Sequence, residues 1–261
     1  IKELKKLEER GQIANGKEIL IIPCINQYAT NIDKRFWPLD DSDINRKFPG
    51  FINGDTTQQI AANLMEVIKG FSYGIQLTSF YMPGNFVPHI RMMETGFQNP
   101  SLANLFGLPF VVIRKPKPMD TATLNYNWQM NGTEAFSIYS GATERIDEVS
   151  ANNAVSAVLR FLTRMGIIRY NCHAGYISTV LDEEELLSIR SDKAGGFFRR
   201  LAGPGDEVTR GDIIANIVNP MTGDVKSQIY APTDGIIFFA EEAPMVYQNS
   251  VIFKMIRRLH N

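Results

Sequence analysis

Histidine and cysteine are scarce in this 261-residue chain: three of the first, His89, His173 and His260, and two of the second, Cys24 and Cys172. Two cysteines so far apart exclude a disulfide framework and point to a reducing, cytoplasmic setting. An excess of one charge is lacking too. Twenty-seven Lys and Arg stand against 28 Asp and Glu, a net charge of −1, so there is no basic footprint for nucleic acid or for an acidic membrane surface. No apolar run approaches the length of a bilayer span, and no secretory signal pattern is present. There is no initiator methionine either. Ile1-Lys2-Glu3-Leu4 reads as the inside of a helix, which leads us to expect residues in front of it. What remains, 44% apolar and 21% charged residues, is an ordinary globular composition, long enough for one large or two modest domains.

Residues 19–50 hold the most informative stretch. An apolar run, Ile19-Leu20-Ile21-Ile22, stops at Pro23, and a polar segment follows with Asn26, Asn31, Asp33 and Arg35. Then come Asp43-Ile44-Asn45-Arg46 and Phe48-Pro49-Gly50. A short apolar run bounded by a breaker predicts a buried strand over 19–22 feeding a loop. Ligands of α/β folds gather beyond the carboxyl ends of such strands. Arg35 and the Asn45-Arg46 pair offer a donor fork and an amide suited to a carboxylate. The other reading is that Arg46 caps the loop or pairs with Asp40, Asp41 or Asp43.

Elsewhere the pattern alternates. Residues 1–10 carry Leu4 and Leu7 on one helical face. Residues 57–69 repeat apolar residues at helical spacing, with Asp55 or Thr56 as the start signal and Gly70 as the stop. Short strands are expected at 73–77, 110–113 and 136–139, a short helix at 101–106 and a longer one at 151–165. Residues 80–97, with two prolines and many aromatic and Met residues, read as a long loop. Its Tyr81, Met82, Phe86 and Met92 suit either a pocket wall or a satellite core, with Arg91 as a polar anchor. Strands alternating with helices predict an α/β layer with a mostly parallel sheet. Beyond residue 170 the helical periods stop, and glycines recur between short alternating runs, as in a small β sandwich or barrel. The expected division is 1–170 and 171–261. Lys226, in Gly-Asp-Val-Lys-Ser-Gln, is the one lysine there placed like that of a biotinyl- or lipoyl-type carrier, without the usual flanking methionines. Trp37 and Trp128 read as packing residues.

The string from Ile22-Pro23 through Asp43-Ile44-Asn45-Arg46-x-Phe48-Pro49-Gly50 resembles the succinylglutamate desuccinylase/aspartoacylase family of zinc carboxypeptidase-like hydrolases. The similarity runs over nearly the whole chain. It implies a zinc-carboxypeptidase-like α/β domain with a mixed sheet flanked by helices, followed by a barrel-sandwich-like β domain. It implies hydrolysis of an amide in a small carboxylate-bearing N-acyl amino acid or peptide, with Arg35, Asn45 and Arg46 holding the carboxylates. Zinc would be the cofactor, because it acidifies a bound water and polarises the scissile carbonyl. The family's ligands are an early His-x-x-Glu pair, expected upstream of Ile1, and a later strand-end His. The later position falls on Thr78, after Gln76. The general base is a Glu, and Tyr139 stands at that position. A neutral hydroxyl is a poor zinc ligand, and a phenol with a reference pKa near 10 is a weak base.

Three readings follow. One is a zinc-dependent hydrolase. A second is a binding or regulatory protein that keeps the carboxylate clamp without the metal. A third is a remodelled catalytic site in which His89 serves as ligand or Glu144 as the missing carboxylate beside Tyr139. His173, next to Cys172, and the terminal His260 are the remaining candidates. The expected partner is a small carboxylate-bearing ligand, with neither nucleic acid nor membrane; a homo-oligomer is left open.

Overall fold

A computed structural model describes residues 1–78, 83–141, 146–191 and 193–258. Helix α1 (Lys2–Glu9) buries Leu7 on its single apolar stripe. Helix α2 (Gln27–Asn31) is a short turn capped by Asn26, and a 3-10 turn covers Ile44–Arg46. Helix α3 (Thr56–Val67) starts at Asp55, whose carboxylate accepts from the Gln58 N–H while the Gln58 side chain accepts from the Asp55 N–H. That reciprocal pair satisfies two backbone donors left open at a helix start. Strands β1 (Tyr73–Thr78), β2 (Asn85–Phe86) and β3 (His89–Met93) follow. After α4 (Pro100–Ala103) comes β4 (Phe110–Arg114), then a 3-10 turn at Pro118–Ala122, α5 (Leu124–Met130), β5 (Glu134–Tyr139) and α6 (Glu148–Arg164).

Past α6 the chain is β-rich: β6 (Thr179–Asp182), β7 (Leu187–Arg190), β8 (Gly196–Arg200), β9 (Glu207–Val208), β10 (Ile213–Val218), β11 (Val225–Tyr230), β12 (Gly235–Ala240), β13 (Met245–Val246) and β14 (Val251–Arg257). The first sheet runs β1-β5-β3-β4-β6. Only the β5–β3 pair is antiparallel, which gives the mostly parallel mixed sheet that the alternating pattern predicts. One face packs on α6 and α1 through Phe136, Ile138, Phe161 and Leu7. The other packs on α3 and α5 through Ala135, Ala61 and Trp128. Two antiparallel sheets, β11-β10-β8-β13 and β2-β12-β14-β7, enclose a second core around Ile217, Ile237 and Phe253.

Two strands cross the boundary expected at residue 170. β6 extends the first sheet alongside β4. β2, from the other side, pairs with β12 in a C-terminal sheet. A fourth core, with Phe86, Phe110, Val112 and Phe238, fills the junction between them.

Two expectations are corrected. Residues 19–22 form no strand. Ile19 packs on one core and Ile25 on another, while Leu20, Ile21 and Ile22 stay 44%, 39% and 39% exposed. β1 ends the described sheet and pairs with β5, and the run does not add to its outer edge. The segment 80–97 is not one long loop, because β2 and β3 occupy its centre. Every residue of β3 is buried, with Ile90 and Met92 in the core on the α6 side. Phe86 is likewise core, and Tyr81 and Met82 lie outside the described residues. No helix among the described residues is long and apolar enough to cross a membrane.

Candidate functional site

The parallel pairing of β1 with β5 sets Thr78 beside Tyr139 at the carboxyl ends of both strands. The antiparallel β3 then sets His89 opposite Tyr139. Tyr139 thus stands between Thr78 and His89 across the sheet. Two basic side chains contact the Tyr139 ring. The His89 ring stacks on it at 5.2 Å with an interplanar angle of 8°, and the Arg91 guanidinium sits 4.5 Å from its centroid. A cation over an aromatic face is held by the ring quadrupole.

His89 has no exposed surface, and its Nδ1 donates to the Val87 carbonyl at 2.8 Å. Phe86 and Phe238 close around the ring at 5.9 and 4.8 Å. Burial first, then the Arg91 charge, push its pKa down from 6.5 to about 3, so the ring is neutral. Its Nε2 is buried and lacks a hydrogen-bond partner. Arg91, expected as a polar anchor for substrate, is instead 5% exposed and pairs with Glu183 at 3.2 Å. Glu183 also reaches Arg114 at 3.4 Å, and Arg114 pairs with Asp120 at 3.0 Å. Sequence reasoning passed over this network. Its one visible signal is Arg114, a cation closing an otherwise apolar strand.

Asn45 and Arg46 lie in one turn, and Arg35 reaches it from upstream through Asp43. Asp43 accepts from the Asn45 N–H at 2.9 Å and pairs with Arg35 at 2.9 Å. So Arg35, rather than Arg46, takes the aspartate partner. The Asn45 Oδ1 accepts from the Leu124 N–H at 3.0 Å, which ties the turn to the start of α5. Half-buried Arg46 donates from Nη1 to the Asn45 carbonyl at 3.0 Å. Glu144 lies outside the described residues, as does His260. His173 is exposed, and Cys24 and Cys172 are free.

A zinc centre needs three anionic or imidazole donors around an open position. Among the described residues no three His, Cys, Asp or Glu gather in this way. The Thr78 hydroxyl is already committed, donating to the Ile138 carbonyl at 3.0 Å. The free nitrogen of His89 is enclosed by aromatic rings. The described donors do not fit a zinc ion.

No family model matches the chain. It is 24% identical over 263 residues to the N-alpha-acetyl-L-2,4-diaminobutyric acid deacetylase of Halomonas elongata, covering 91% of this chain and 72% of that protein. A crystal structure of a succinylglutamate desuccinylase/aspartoacylase from Rhodobacter sphaeroides superposes with a TM-score of 0.72 at 21% identity, over 92% of this chain and 75% of that one. A product-bound structure of the ectoine utilization protein EutE from Ruegeria pomeroyi gives 0.74 at 18% identity, over 90% and 73%. The order of strands and the flanking helices therefore belong to a known architecture, and the chain shares the fold of the succinylglutamate desuccinylase/aspartoacylase proteins.

Proposed function

We propose that the chain acts on a small carboxylate-bearing N-acyl amino acid or peptide, as a hydrolase of its amide bond. The observation that carries this reading is the Asp43–Arg46 turn. Its sequence resembles the family's carboxylate-holding string, and Asn45 anchors it to the start of α5, on one face of the sheet. The similarity to a deacetylase of an N-acetylated diamino acid supports the same substrate class. Arg46 is the fork that meets the carboxylate, with Asn45 and Arg35 setting its turn. Zinc dependence comes with the resemblance alone, and the free cysteines suit a reducing cytoplasm.

A second reading, binding without hydrolysis, is favoured by one geometric fact. The two strand-end positions that would carry catalysis hold a hydroxyl donating to the backbone and a phenol whose ring is in contact with a histidine and an arginine.

Titration with N-acetyl and N-succinyl amino acids separates the two readings, with heat of binding and release of free amine measured on the same samples. Amine release supports hydrolysis, and binding without release supports the second reading. Arg46→Ala should weaken binding by about 1.5–3 kcal/mol, the range for a hydrogen bond to a charged group. Unchanged affinity in that variant removes the clamp from either reading.

A further inference from the structure

Helix α5 carries polar side chains where a helix packed on a sheet normally has apolar ones. Asn125 and Gln129 lie one turn apart and are 4% and 2% exposed. Their hydrogen bonds run in one direction. The Thr95 hydroxyl donates to the Gln129 Oε1, the Gln129 Nε2 donates to the Asn125 Oδ1 at 3.2 Å, and the Asn125 Nδ2 donates to the Ser137 Oγ at 3.1 Å. Burying an amide is costly unless it is bonded, and a fully bonded polar network makes a core rigid. Both amides here are bonded through their oxygen and their nitrogen. This chain lies at the joint between the two halves of the candidate site. The Asp43–Arg46 turn is tied twice to the start of α5. The Asn45 Oδ1 accepts from the Leu124 N–H, and the Phe48 N–H just beyond the turn donates to the Ala122 carbonyl at 3.1 Å. Asn125, the next residue, fastens that same end of α5 to Ser137 of β5. Ser137 precedes Tyr139 by two positions and shares its face of the sheet, because Phe136 and Ile138 enter the core on the α6 side.

We propose that Asn125 and Ser137 are positioning residues that fix the span from Arg46 to the strand end at Tyr139, so that the site selects its N-acyl amino acid by the number of methylenes between carboxylate and amide. The inference rests on the reading above, in which Arg46 meets the carboxylate. Neither side chain touches the ligand in this account. A ligand held at its carboxylate by the turn puts its amide at one reach from Arg46. A rigid frame matches one such reach, whereas a loosened frame follows the ligand and accepts its neighbours in length.

The test is titration calorimetry with N-acetylglycine and N-acetyl-β-alanine, which differ by one methylene between amide and carboxylate. Wild-type protein should favour one of the two by about tenfold or more, the scale on which a shaped site resolves a methylene. Asn125→Leu removes both hydrogen bonds of that side chain and should bring the ratio of the two affinities close to unity. Ser137→Ala removes only the acceptor and provides the same reading if the first variant does not fold. The ratio is the deciding quantity because a purely structural role lowers the folded fraction and leaves it unchanged. Ile237→Val, in the core of the C-terminal sheets, should lose stability and keep the wild-type ratio. A wild-type ratio near unity, or the wild-type ratio retained in the Asn125 and Ser137 variants, overturns this inference and leaves the functional reading standing. Wild-type protein that binds neither ligand overturns the functional reading, and the inference falls with it.

Discussion

At the scale of single residues, the neutral imidazole of His89 has a consequence that can be measured. In the unfolded chain it takes up a proton near pH 6.5, whereas in the folded protein it does so only near 3. The unfolded state therefore binds more protons between these values, and stability must fall as pH drops through that window. His89→Gln keeps a donor for the Val87 carbonyl and removes the titration. Its urea midpoint should decline less between pH 7 and pH 4.5 than that of wild type; parallel declines would show that the ring is not held neutral. What the sequence allowed at this scale was uneven. Asn45 and Arg46 were legible because their chemistry is local to one turn. Arg91 was not, because its partner Glu183 lies more than ninety positions away, and nothing in the local pattern announces a buried ion pair.

At the scale of elements, β1 is short and contains a glycine in its interior. Gly74 marks the close approach of α5, since a Cβ built there would lie 2.7 Å from the Trp128 ring. Gly74→Ala should destabilise the protein by about 1–3 kcal/mol, the range for overpacking a filled core. Combined with Trp128→Leu, the added methyl should cost less than it does alone, which denaturant unfolding of the four variants would measure. Additive effects would place the strain elsewhere. Helical periods and cap signals made α1, α3 and α6 readable within a few residues. The run at 19–22 misled because β-branched composition predicts a strand only where a neighbour supplies the ladder, and composition says nothing about neighbours. The 80–97 segment misled in the opposite direction: prolines and aromatics hid an inward-facing strand whose polar members, His89 and Arg91, are buried.

At the scale of the whole molecule, β6 and β2 trade places between the first sheet and the C-terminal sheet, and the Arg91–Glu183–Arg114–Asp120 chain ties the end of β6 to β3 and β4. Breaking one exchange exposes the apolar junction around Phe110 and Phe238. The two layers should therefore open together. Native-state hydrogen exchange should give one opening free energy for amides of β6 and of β12, and a gap well beyond experimental error would show that they unfold separately. The two-layer composition was visible in the sequence as a change of period near residue 170. The exchange was not, because each crossing strand is too short to carry a period of its own. As the chain leaves the ribosome, the outer edge of β4 must wait for β6, and Phe86 must wait longer still for β12. For most of translation these sticky edges have no mate, so the nascent protein is most open to aggregation before Thr179–Asp182 emerges, and Phe86 stays uncovered until Gly235–Ala240 follows.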